Sequence, residues 1–289
     1  MRLLPHTSRQ TDVFSLLHQS TSGIVSVLFP TACPICNREV MWSTGIGICA
    51  VCRDAIKPWD GPICSRCGIP LASVAPADEG STIRCGVCRR DGYEFDCARS
   101  YGIYAYPLRD LILQLKFRRR ERWGSHLGEL LAPAAHSLAM MRAGAPVLIV
   151  PVPLHPARER ERGYNQSTLL AAGLHRALKR DAPRVVQLEA RLLVRSRPTP
   201  PQSGLHHGAR QENVRGVFQM ERTGRASGRS IILVDDVMTT GATVSACAHA
   251  LKRAGAKEVA VLTLARATPQ FPDSHPFPPP VDDLPDGRR

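Results

Sequence analysis

The chain has 289 residues, 43% of them hydrophobic, and a formal net charge of +13, enough for one moderate core plus a small accessory module. No apolar run approaches the about 18 residues that cross a bilayer, which excludes a membrane-spanning helix. Five lysines among 38 basic residues leave arginine dominant, which favours polyanion partners and equally fits a compositional habit of a whole proteome.

Residues 23–29 form a short apolar patch before Pro30, approached by a polar stretch and a start whose positive charge is Arg2. That pattern reads against a signal peptide, so an N-terminal helical segment over 1–32 and a cytoplasmic location are expected.

Eight of the ten cysteines fall in C-x-x-C pairs: Cys33 and Cys36, Cys49 and Cys52, Cys64 and Cys67, Cys85 and Cys88. Two thiolates on one tight turn reach a single borderline-soft cation, and two such knuckles complete a tetrahedral shell. A redox C-x-x-C or a secreted disulfide framework is the competing reading, but neither suits four pairs without a signal peptide. The spacing predicts one or two structural zinc ions in a module over 33–95, with no open position for chemistry at the metal. Cys97 and Cys247 stand outside the pairing and read as small buried apolar residues.

Tyr101, Ile103, Tyr104 and Tyr106 alternate as a strand does, near the start of a main domain expected over 96–268. Leu111, Ile112 and Leu115 then follow helical spacing over 108–117. The basic run 116–122 reads as a solvated helix end, with a phosphate or nucleic-acid patch as the alternative. Phe117 and Trp123 beside it read as core residues, with base stacking as the alternative.

Residues 147–152 predict a buried strand that exits into Pro153, Leu154 and His155, followed by Arg158, Arg160 and Arg162. A proline-stiffened loop carrying guanidinium groups would neutralise a pyrophosphate. His155 either protonates a leaving group or caps the loop. A further helix is expected from about Gln166 to Lys179. After another apolar run at 191–194, the polar, proline-rich stretch 197–218 reads as a flap with Gln202, Arg210 and Asn213 as contacts, anchored by Val214 and Phe218.

Residues 231–243 carry the densest signal. Four apolar residues predict a buried parallel strand, followed by Asp235 and Asp236, then Thr239, Thr240, Gly241, Ala242 and Thr243, then a helix ending at Gly255. Free N–H groups at the helix start, with glycine and hydroxyls beside them, suit a phosphate. The carboxylates suit ribose hydroxyls, met directly or through a hydrated Mg²⁺. An ordinary strand, turn and N-capped helix is the bland alternative, and a P-loop is excluded because no G-K-[ST] follows. Residues 269–289, with seven prolines, read as a disordered tail.

The stretch 231–243 resembles the fingerprint of the type I phosphoribosyltransferases. The resemblance implies that Asp235 and Asp236, the catalytic pair if transfer occurs, contact the ribose of phosphoribosyl pyrophosphate (PRPP), and that Thr239 to Thr243 bind its 5′-phosphate. With P-V-P-L-H at 151–155, R-G-Y-N-Q at 162–166, T-P-P-Q-x-x-L at 199–205 and R-x-x-N-V at 210–214, the chain resembles the ComF family. That resemblance implies an α/β fold, with a parallel sheet of type I phosphoribosyltransferase-like topology behind an N-terminal zinc-ribbon module. It further implies PRPP or a related nucleotide as ligand, and a role with the DNA-uptake machinery in handling single-stranded DNA during natural transformation. The alternative is Mg²⁺-dependent transfer of phosphoribosyl from PRPP to a base or other amine acceptor. Two features depart from the family pattern: the basic stretch after Lys116, where glycine is expected, and His206 and His207 in the flap.

Overall fold

The computed structural model describes residues 31–40, 46–71, 83–90, 92–118, 120–144, 146–181, 185–197, 216–221 and 224–268. The expected N-terminal helix up to residue 30, the flap residues Gln202, Arg210, Asn213 and Val214, and the tail all lie outside them. The chain divides into two units, Met1–Asp54 and Ala55–Arg289.

In the first unit, strands β1 (Thr31–Ala32) and β2 (Glu39–Val40) pair antiparallel around the first knuckle. Asn37 sits at φ 58°, and its N–H donates to the Cys33 carbonyl at 2.8 Å, which folds C-x-x-C into a turn. Helix α1 (Ala50–Ala55) begins immediately after Cys49, so Cys52 is presented from its first turn.

The second unit repeats that plan. Ile63 bridges to Pro70, and Gly68 takes the turn position at φ 65° with its N–H on the Cys64 carbonyl. Helix α2 (Gly86–Arg90) carries Cys88. A Cβ on Gly68 would stand 2.5 Å from the Ala98 carbonyl oxygen, so the knuckle lies hard against the next strand. Cys64, Cys67, Cys88 and Phe95 share one buried core with Val150, Leu233 and Val261 of the main sheet. The second knuckle pair is therefore part of the core of the larger domain.

Along the chain follow β3 (Cys97–Ile103), α3 (Leu108–Phe117), α4 (Glu121–Glu129), α5 (Ala132–His136), α6 (Ala139–Arg142), β4 (Val147–Pro151), α7 (Pro156–Arg162) and α8 (Gln166–Asp181). They are succeeded by β5 (Val186–Leu188), β6 (Leu193–Arg195), β7 (Phe218–Met220), β8 (Ser230–Met238), α9 (Ala242–Arg253) and β9 (Glu258–Arg266). Five strands form one parallel sheet in the order β3-β9-β8-β4-β5. All five residues of β4 are buried, as are eight of the nine in β9, the near-continuous apolar pattern of a parallel sheet covered on both faces. β6 and β7, on either side of the expected flap, pair antiparallel.

Two expectations shift. β3 ends at Ile103, so Tyr104 and Tyr106 fall beyond it in the turn that leads to α3. Helix α3 keeps its predicted bounds and buries Leu108, Leu111, Ile112 and Leu115, each contributing about 1.5–3 kcal/mol by removal from water. The neighbouring aromatics separate: Trp123 is 3% exposed and belongs to the core, whereas Phe117 is 68% exposed. Among the described residues, no helix is long and apolar enough to cross a membrane.

Candidate functional site

The chain leaves β4 towards β5 on one side of the sheet and leaves β8 towards β9 on the other, so the strand order reverses between β4 and β8. Such a reversal opens a crevice at the carboxyl ends of the two strands. The ladder between β4 and β8 stops at Pro151 opposite Val234, while that between β8 and β9 continues to Met238 opposite Arg266. Asp235 and Asp236 thus lie inside β8 but beyond the end of β4, with one flank of their strand turned to the crevice.

Successive residues of a strand point to opposite faces, so the two acids find different partners. Ser167 Oγ, in the first turn of α8, donates to Asp235 Oδ1 at 2.8 Å, and the Asp236 N–H donates to the same oxygen at 2.9 Å. Burial, and after it the Asp236 charge, raises Asp235 to about 7 against the lowering effect of Ser167. Asp236, 3% exposed, receives Lys116 Nζ on Oδ1 at 2.8 Å, while its Oδ2 is buried without a hydrogen-bond partner among the described residues. One oxygen of each acid is thus engaged by protein donors, and the second oxygen of each is left for a ligand.

The residues that hold this arrangement come from the G-Y-N-Q-S stretch and its surroundings. Tyr164 OH donates to the Leu115 carbonyl at the end of α3, beside Lys116. Asn165 Nδ2 donates to the Val152 carbonyl at 3.0 Å, and its Oδ1 accepts the Ser167 N–H at 3.0 Å, capping α8 at the exit of β4.

Asp235, Thr239, Gly241, Ala242 and Thr243 line a small pocket at the start of α9. Gly241 sits at φ 81°, where a Cβ would stand 2.8 Å from Met238 and 2.9 Å from Tyr93, so both conformation and space call for glycine. Gly241 has no side chain to cap α9, and Thr240 Oγ1 instead accepts the Ala242 N–H at 3.4 Å, so the loop hydroxyl and the positive end of the helix converge on this pocket and suit an anion. Two groups fix the loop from behind. Tyr93 OH donates to the Thr240 carbonyl at 3.1 Å, and Arg266, 3% exposed, donates from Nη1 to the carbonyls of Met238, at 2.7 Å, and Thr239.

Across the crevice, Pro153 and Leu154 leave β4 without regular structure, and His155 caps α7 by accepting the Ala157 N–H on Nδ1 at 3.2 Å. The capping alternative for His155 is the one seen. The arginines expected on a loop lie on α7, where a spacing of two residues sends Arg160 away from Arg158 and Arg162. Arg162 donates to Gln166 Oε1 and stands with Cζ 5.5 Å from the Phe117 ring centroid. Burial lowers Arg162, and the charge of Asp236 offsets part of that.

Lys116, Ser167, Tyr93 and Arg266 are the site residues that the sequence reading missed. Lys116 carried one signal: it stands four residues after the buried Ile112 and therefore on the inner face of α3, which conflicts with a solvated helix end.

The eight paired cysteines gather into two groups, Cys33, Cys36, Cys49 and Cys52, and Cys64, Cys67, Cys85 and Cys88, with ligand atoms within 4.8 Å of one another. A tetrahedral zinc-thiolate shell places sulfurs about 3.8 Å apart. Cys36 to Cys49 and Cys67 to Cys85 are each 3.6 Å. In both groups a backbone N–H points at sulfur, from Cys49 to Cys33 at 3.4 Å and from Cys85 to Cys64 at 3.3 Å. Burial raises Cys33 and Cys64, but these and neighbouring backbone N–H bonds outweigh it and bring both thiols to about 7, close to the thiolate form that a metal needs. No cysteine is in a disulfide, and both groups are compatible with structural zinc.

Residues 24–90 match the double zinc ribbon domain family, and residues 164–276 match the phosphoribosyl transferase domain family. The chain is 36% identical over 238 residues to DNA utilization protein YhgH of Escherichia coli, covering 82% of this chain and 97% of that protein. It is 32% identical over 228 residues to competence protein F of Haemophilus influenzae, covering 76% and 91% respectively. To competence protein ComFC of Bacillus subtilis it is 26% identical over 221 residues, covering 76% and 84%.

Proposed function

The chain belongs to the ComF family, that of competence protein F and DNA utilization protein YhgH, and from that premise we propose that it binds PRPP and handles single-stranded DNA during DNA uptake. The observation that carries this reading is the pairing of Asp235 and Asp236 with a glycine-turned helix start at the reversal point of a parallel sheet. The helix start takes the 5′-phosphate, the acids take the ribose hydroxyls, and Arg162 faces the pyrophosphate from α7. Mg²⁺, where it accompanies the ligand, would be held chiefly by pyrophosphate oxygens and its own waters and would offset the phosphate charge, as suits a cation that dehydrates reluctantly. Cysteines gathered as metal knuckles support a cytoplasmic location for this role, since thiols stay reduced there.

Phe117 supports the DNA part of the reading. It is an exposed ring next to a lysine that enters the site, with a guanidinium on one face, the composition of a base-stacking platform. A second reading, transfer of phosphoribosyl to a base or other amine, draws on Asp235, whose carboxyl is raised to about 7, where proton exchange is efficient.

Calorimetric titration with PRPP tests binding: saturable heat in the wild type and its loss in Asp235→Asn are expected, and equal heats in both contradict the site. Pyrophosphate release measured across a panel of bases separates the two readings. Release that disappears in Asp235→Asn establishes transfer; binding without release with any acceptor removes it.

A further inference from the structure

Lys116 reaches from the last turn of α3 into the crevice, and the ion pair it makes is well enclosed, with side-chain exposures of 22% for Lys116 and 5% for Asp236. Burial disfavours the ammonium, but the Asp236 carboxylate and its hydrogen bond outweigh that and hold Lys116 in the charged form. A buried ion pair is favourable when the remaining lone pairs of the carboxylate are also satisfied. Here they are not, because Asp236 Oδ2 is buried with no donor among the described residues. That oxygen is already stripped of water, so a donor brought to it gains a hydrogen bond without a further desolvation cost at the acceptor. Asp235 Oδ1, in contrast, already accepts from Ser167 and from the Asp236 N–H.

We propose that Lys116 is the resident counter-cation of the acid pair: it neutralises Asp236 where a divalent metal would otherwise be needed, and leaves Oδ2 to accept a hydroxyl of a pentose 5-phosphate. The carboxylates then recognise the sugar directly, and metal enters only as a companion of a pyrophosphate-bearing ligand. This rests on the ribose-phosphate reading of the site. It adds that a sugar phosphate without pyrophosphate binds with no metal at all, and that Lys116 sets its affinity.

Ribose 5-phosphate is the probe, titrated calorimetrically into the full chain in EDTA and again in Mg²⁺, with PRPP in Mg²⁺ as a parallel arm. The wild type is expected to bind ribose 5-phosphate equally in both buffers. Lys116→Arg keeps a cation and is expected to retain that behaviour. Lys116→Met is expected to bind at least about tenfold more weakly in EDTA and to recover in Mg²⁺, because the freed acid pair then accepts the metal. A structural role for Lys116 would give a loss that Mg²⁺ does not restore. Thermal unfolding of each variant identifies any that misfold, and the EDTA comparison on the wild type requires no variant. If the wild type binds PRPP but takes ribose 5-phosphate only with Mg²⁺, or if Lys116→Met binds as the wild type does in EDTA, the role of Lys116 is overturned while the proposed function stands. If the wild type binds neither ligand in either buffer, both fall.

Discussion

Burial, and behind it the neighbouring Asp236 charge, raises Asp235 to about 7, whereas a carboxyl in an unfolded chain titrates near about 3.9. Between those values the folded protein holds a proton that the unfolded chain has released. The Asp235 contribution to the unfolding free energy of the unliganded protein therefore falls as pH rises from about 4 to about 7, and levels off above that. Asp235→Asn removes the titration, so its melting temperature is expected to exceed the wild-type value by a few degrees above neutrality and to match it in acid. A variant less stable than the wild type at alkaline pH would contradict this assignment. The two acids and the T-T-G-A-T loop were legible in the sequence because they are contiguous. Their supports were not: Ser167 lies 68 residues from Asp235, and Tyr93 lies 147 residues from Thr240, so only the folded chain brings them together.

The cysteine knuckles illustrate both what spacing reveals and what it hides. The C-x-x-C pairs marked eight candidate ligands, and these gather as two groups of four. Spacing could not reveal that the second group is built into the main core, where Arg66, between Cys64 and Cys67, donates to the Tyr93 carbonyl at 2.5 Å while Tyr93 holds the Thr240 carbonyl. Cys67→Ser is therefore expected to lower the melting temperature of the main domain and to speed amide exchange over 238–243. Cys36→Ser, in the first unit, is expected to leave both unchanged while halving the zinc content, and equal effects from the two variants would contradict the difference in packing. Helix α7 was misread as a loop because prolines at a strand exit suggest irregular structure. Pro156 instead takes the first helical position, where its missing N–H costs nothing, with His155 as the cap. The strand β8 was expected to stop before the acids, since charge seldom enters a buried parallel strand. It continues because β4 has ended and the acids face the crevice.

The division into Met1–Asp54 and Ala55–Arg289 separates one cysteine group from a larger unit that holds the other group, the sheet and the acid pair. The parallel sheet was legible from the apolar runs at 147–152 and 231–234. Its strand order was not, because order depends on which face each crossover helix covers. The net charge of +13 belongs to the chain as a whole and bears on the DNA reading. Single-stranded DNA affinity is expected to fall steeply with salt, by about 0.7 in log affinity per log salt for each phosphate contacted, and Phe117→Ala is expected to weaken it without altering that slope. Absence of affinity at low salt would contradict the DNA part of the proposal. The central claim, that a sugar phosphate sits between the acids and the α9 loop, is tested most directly by thermal unfolding at increasing PRPP. Ligand that binds only the folded state stabilises it by about 2.7 kcal/mol at a hundred times its Kd. The wild-type melting temperature should therefore climb with PRPP, while that of Asp235→Asn should start higher above neutral pH and stay flat; parallel climbs in the two proteins, or none in the wild type, would contradict the account.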